Sequence, residues 1–203
     1  MKKIICVLIT LSMLLCGLAM AEGKTVKPMA EEIDLAAPAD GIYGVAFEPA
    51  DLADGALKFT VYTEDIYDIV DISTLEVGDT IYIGGEACAV ESLSREGEPL
   101  LINGGADEGG FTLFPYDEDN CWKVVQDDDY ATWTAVGETT LPLAGDATFT
   151  DGWDIDKEPV TVSGAEAVTE AINDTEMDAF VCLNTTVRVE GGRIVEIVRS
   201  YMP

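Results

Sequence analysis

The chain contains no histidine. That absence removes Ser-His-Asp and Cys-His catalysis, histidine-ligated zinc and any imidazole proton shuttle near neutral pH. Basic residues are scarce as well, with 11 Lys and Arg against 39 Asp and Glu and a net charge of −28. A field of that sign repels nucleic acid and anionic lipid, so no nucleic-acid partner is expected. The chain also lacks the G-x-x-x-x-G-K phosphate loop, the G-x-S-x-G elbow and S-x-x-K. Its Asp-Thr pairs, Asp79-Thr80 and Asp174-Thr175, continue with Ile81 and Glu176, which excludes the Asp-Thr-Gly signature.

Long apolar runs are confined to the beginning. Lys2 and Lys3 precede an apolar stretch from Ile4 to Leu15, and Ala19-Met20-Ala21 supplies the small residues that signal peptidase reads. A run of about a dozen residues is too short for a bilayer, which needs roughly twenty. Residues 1–21 are therefore expected to be a signal peptide cleaved after Ala21, leaving a secreted or extracytoplasmic protein with no transmembrane segment in the mature chain. Cys16-Gly17 offers a lipoprotein alternative, but Leu15 stands where lipid attachment normally requires a small residue.

Cysteine is sparse too. Beyond the signal peptide only Cys88, Cys121 and Cys182 remain, each in a mostly apolar segment ("EACAVESL", "NCWKVV", "AFVCLN"). Three small buried hydrophobes are the expectation, and one disulfide of undetermined pairing is the alternative. Apolar or acidic surroundings raise a thiol pKa, so none is a good nucleophile candidate.

What is present is a succession of short runs rich in Val, Ile, Thr and aromatics, bounded by Gly, Asp, Asn and Pro. "LKFTVYT", "DTIYIGG", "GFTLFPY", "CWKVVQ", "TTVRVE" and "GRIVEIVRSY" are examples. This pattern predicts a mainly β fold, an antiparallel sandwich or small barrel or barrels. Gly84-Gly85 and Gly191-Gly192 predict tight hairpins. One short helix is expected near 165–173, where Ala167, Val168, Ala171 and Ile172 recur at helical spacing, with Ser163 as its cap and Glu166 completing a capping box. Residues 22–40 hold few large apolar side chains and read as a flexible leader. Gly, Pro and Asp between Gly137 and Pro159 suggest a seam, giving modules at 41–140 and 141–203, or one continuous domain over 41–203.

The stretch from Phe114 to Trp133, "FPYDEDNCWKVVQDDDYATW", mixes two acidic runs with five aromatic rings. Solvated turns are the preferred reading of the acids, and no cofactor is expected. Calcium is the alternative, with Asp117, Asp119, Asp127 and Asp128 as its ligands. EF-hand spacing fails, because Cys121 and Trp122 occupy the fifth and sixth places counted from Asp117. The six residues of "CWKVVQ" also separate the two runs by about 20 Å, too far for one ion. Aromatic rings beside carboxylates can form a sugar platform, for which Trp153, Tyr116 and Tyr130 are the candidates. Trp122 alternates in phase with Val124 and is expected to point inward. The functional expectation is a non-catalytic binding or structural module outside the cytoplasmic membrane, facing an extracellular glycan or protein. A glycan-acting hydrolase with an unidentified carboxylate pair is the alternative.

Overall fold

Alternation of apolar and polar side chains sets the architecture. In β4 (Ala56–Glu64), Leu57, Phe59 and Val61 are buried while Lys58 is exposed. The same period of two runs through β14 (Thr185–Glu190), where Thr185, Val187 and Val189 face inward. The computed structural model describes residues 23–29, 32–97, 99–116, 120–125, 130–175 and 180–201. The segment expected to be a signal peptide and Asp117, Asp119, Asp127 and Asp128 lie outside the described residues, as does Cys16.

The first of two hydrophobic cores belongs to a seven-stranded sheet. Its members are β2 (Gly41–Ala46), β3 (Leu52–Ala53), β4, β12 (Trp133–Gly152), β13 (Val160–Ser163), β14 and β15 (Arg193–Ser200), in the order β13-β12-β15-β14-β2-β4-β3. The long strand β12 closes this sheet on itself. Residues Trp133 to Pro142 pair antiparallel with β4, and Leu143 to Gly152 then run parallel to β15. Leu143 and Ala144 are buried in succession and the register with β15 slips between Leu143 and Thr148, an irregularity where β12 changes partners, after which Ala147 and Phe149 face inward again. The result is a small barrel, with Phe47, Phe149 and Phe180 among its core side chains.

The second core lies between two other sheets. One contains β1 (Thr25–Val26), β6 (Thr80–Ile83) and β7 (Glu86–Ala89). The other has the order β5-β11-β10-β9-β8, formed by β5 (Ile66–Asp68), β8 (Leu93–Ser94), β9 (Leu100–Ile102), β10 (Phe111–Tyr116) and β11 (Cys121–Val125). Tyr67, Ile81, Ile102, Leu113 and Val124 meet between them, joined by Ile72 of the short helix α1 (Ile69–Ser73). Trp122 packs against this core, as its phase with Val124 predicts.

The mainly β expectation therefore holds in both of its forms, barrel and sandwich. Two ladders depart from the antiparallel pattern: β12 with β15, and β1 with β6. In the first the crossover of a parallel pair is supplied by β13, α2 (Ala165–Asn173) and β14. Both glycine pairs form the expected turns with positive φ, at 61° and 81° for Gly84 and Gly85 and at 57° and 72° for Gly191 and Gly192.

Helix α2 has the predicted bounds and buries Val168 and Ile172 against the barrel, but its cap differs. Gly164, at φ 97°, is the N-cap and has no side chain to cap with, while Ser163 is the last residue of β13 and pairs with Thr148 of β12. The seam expected from Gly137 to Pro159 is occupied instead by β12 as far as Gly152, with Gly137 at a bulge. Residues 65–131 are nested between β4 and β12, two strands that pair directly, so the second core stands where a hairpin turn would be.

The leader expected to be flexible is fastened at several of its described residues. The Lys24 N–H donates to Asp79 Oδ1 at 2.7 Å, Met29 N–H donates to Ile66 O at 2.6 Å, and Thr139 Oγ1 donates to Leu35 O at 2.7 Å. Val26 enters the second core and Ile33 and Leu35 pack on the first. A few well-spaced apolar residues suffice here, because β6 offers an open edge for backbone pairing.

Asp65 fastens the junction of the two bodies. Its N–H donates to Thr132 O at 2.8 Å, and its carboxylate accepts from Gly84 N–H at 2.6 Å and Thr134 Oγ1 at 2.5 Å. The residue is 1% exposed, and burial raises its pKa against the lowering effect of those two donors. A carboxyl raised in the folded state binds more protons folded than unfolded over that interval, so its contribution falls as pH rises. The wild type is therefore expected to lose stability relative to Asp65→Asn as pH climbs from about 4, the ordinary carboxyl value, through the raised folded value. Urea denaturation of both proteins from pH 4 to 7 checks this, and parallel profiles would refute it.

Candidate functional site

Two charged residues of opposite sign occupy inward positions at one end of the barrel. Asp151 continues the phase of Ala147 and Phe149 on β12, and Arg199 continues that of Ile197 on β15. The parallel register sets them side by side. Arg199 Nε donates to Asp151 Oδ1 at 3.0 Å and Nη2 donates to Oδ2 at 2.6 Å, a two-pronged bond with the arginine only 3% exposed. The guanidinium carbon lies 4.9 Å from the centre of the Phe180 ring and 5.6 Å from that of Trp153. Arg199 Nη1 is buried without a hydrogen-bond partner among the described residues, and the two neighbouring π faces offset part of that cost.

The turn after β12 builds outward from this pair. Trp153 N–H donates to Asp151 Oδ1 at 3.1 Å, and its ring meets Tyr201 at 6.4 Å between centroids. The next turn closes on Asp154. Its Oδ1 accepts Asp156 N–H at 3.1 Å and its Oδ2 receives Lys157 Nζ at 2.7 Å. The Lys157 bond, then the Asp156 N–H, hold the Asp154 carboxyl below its usual range, while Asp154 raises the Lys157 ammonium. Asp151, Trp153, Asp154, Lys157, Glu158 and Val160 line an open depression of about 220 Å³.

Of the three rings expected to meet a ligand, Trp153 stands beside this depression. Tyr116 is 40% exposed at the end of β10, with Lys123 Nζ 4.5 Å from its ring centre. Tyr130 is partly buried and engaged, just before the bridge of Ala131 with Val125. Tyr116 ends β10 of the five-stranded sheet, whereas Trp153 follows the last residue of β12 in the seven-stranded one. Sequence reasoning missed Arg199, Asp151 and Lys157. The signal for the first two was present: opposite charges at core-facing places in "TFTDGW" and "IVEIVRSY".

Asp154, one of the carboxylates lining the depression, does not suit general-acid chemistry. Asp154 is pushed toward the ionised form, opposite to the raised pKa such a role needs, and Asp151 is held by a guanidinium. The raised carboxyl, Asp65, is buried and bonded at both oxygens. Cys88 and Cys182 are free thiols, and burial pushes both further from thiolate. Among the described residues, no three acidic or thiol side chains are grouped to hold a metal ion, and no helix is long and apolar enough to cross a membrane. No family model, curated protein or solved structure matches the chain.

The Asp151–Arg199 pair generates a stability prediction. Removing one partner strands a buried charge, so Asp151→Ala is expected to cost about 3 kcal/mol. Replacing both by apolar residues, Asp151→Ala with Arg199→Met, should recover most of that loss. Chemical denaturation of the two singles and the double measures the coupling, and purely additive effects would show that the pair is not a unit.

Proposed function

We propose that the protein is a non-catalytic binding module acting outside the cytoplasmic membrane after cleavage following Ala21, with the Trp153 depression as its ligand contact. One observation carries the reading: a partly exposed tryptophan ring is held from behind by a buried guanidinium and borders a concavity edged with carboxylates. A ring fixed in this way presents a contact surface without losing much side-chain freedom on binding. Val160, 63% exposed, extends the apolar rim.

The acidic exterior suits a soluble life outside the cell and turns away polyanions, which narrows the partners to glycans and proteins. Calcium at Asp117, Asp119, Asp127 and Asp128 stays a secondary proposal, testable by whether sub-millimolar calcium raises the melting temperature. For the principal reading, the mature chain is sedimented with insoluble cell-envelope material. Retention should fall about tenfold for Trp153→Ala and stay unchanged for Tyr116→Ala. Equal retention of the wild type and Trp153→Ala would remove the depression from the account.

A further inference from the structure

We infer that the ligand of the Trp153 depression is a neutral saccharide ring, stacked on the outer face of the indole with its hydroxyls on the surrounding carboxylates. This rests on the depression being the binding contact. Three features of the site select that chemistry over the alternatives.

The first is the cation already present. Arg199 is 3% exposed, so the face of Trp153 that it approaches at 5.6 Å is the inner one. A cationic ligand on the outer face would share the ring's quadrupole with that guanidinium and be repelled by it through the ring. Lys157, 77% exposed at its side chain, adds a second positive charge on the rim. The usual argument that acids beside tryptophan attract ammonium groups is thereby reversed.

The second is the supply of acceptors. A carboxylate offers about four lone-pair sites. Asp151 uses three, on Arg199 Nε, Arg199 Nη2 and the Trp153 N–H, and Asp154 uses two, on Asp156 N–H and Lys157. Glu158, exposed, accepts no side-chain or backbone donor among the described residues. The depression therefore has acceptors to spare for hydroxyl donors, while its net negative lining disfavours an anion. Neutral O–H groups meet these acceptors without a charge to neutralise.

The third is shape. Drug-sized ligands fill clefts of roughly 300–1,000 Å³, so an open depression of about 220 Å³ suits a single small ring. Trp153 and Val160 supply apolar surface and the carboxylates a polar margin, matching a ring whose C–H face is apolar and whose edge carries hydroxyls.

The test uses ¹H–¹⁵N spectra of the full mature chain, read at the indole Nε1–H groups. The probes are the methyl glycosides of glucose, galactose, mannose and N-acetylglucosamine, with tetramethylammonium and lysine amide as cations. The expectation is that at least one neutral glycoside shifts the Trp153 indole, with a dissociation constant of about 1 mM, and leaves the Trp122 indole unmoved. Binding should weaken about tenfold in Trp153→Ala. Glu158→Ala, at an exposed position that does not endanger folding, should weaken it about threefold. Tetramethylammonium shifting Trp153 where no glycoside does would overturn the saccharide assignment and leave the depression as a contact. Glycosides acting on other residues, with Trp153 silent, would overturn both. Silence across the panel would overturn the saccharide assignment, while envelope retention that still depends on Trp153 would keep the contact.

Discussion

Arg199 carries a guanidinium into a position that the alternation of β15 reserves for the barrel core, and nearly everything at that end of the molecule is arranged around the consequence. A buried cation needs an anion with good geometry or it unfolds its surroundings. Asp151 supplies one from the adjacent strand, but only because β12 has by then turned away from β4 and runs parallel to β15 in matched register. The same carboxylate takes the Trp153 N–H, which fixes the backbone as it leaves the strand. Phe180 and Trp153 lie against the guanidinium, so the partly exposed Trp153 ring is supported from inside the core.

The bending of β12 links the fold to the site. Its first half completes the barrel against β4, and its second half delivers Asp151 and Trp153 to the opposite end. The second core is built from the loop that would otherwise join β4 to β12, and Asp65 fastens its β6–β7 turn back onto β12. Cations elsewhere are similarly employed. Lys24, Lys58, Lys123 and Arg188 each meet an acid, and Arg95 binds the carbonyls of Ile72 and Leu75. With so few basic residues, their places on the strands decide which acids are neutralised and which face solvent.

Much of the fold was legible in the sequence because its signals are local. The glycine pairs at 84–85 and 191–192 demand positive φ, and the spacing of Val168 and Ile172 marks α2. What escaped depends on distant pairing. Gly137 and Pro142 look like interruptions along the chain, yet a bulge accommodates the first and the second lies at the end of the β4 ladder, where β12 changes partners. The leader looked too polar to fold because its few apolar residues pair with an edge formed some fifty residues later. At the site, Trp153 could be chosen as an exposed ring from its turn-rich neighbours. Its support could not, since Asp151 and Arg199 are 48 residues apart and meet only through the parallel ladder.

The account stands on the claim that the buried pair holds Trp153 in place. The ¹⁵N heteronuclear NOE of the Trp153 indole, compared between the wild type and an Arg199→Met variant that keeps dispersed, folded spectra, tests this directly. A rigid indole in the wild type that becomes mobile in the variant is the predicted result. An indole already mobile in the wild type, or equally rigid without the guanidinium, would contradict it.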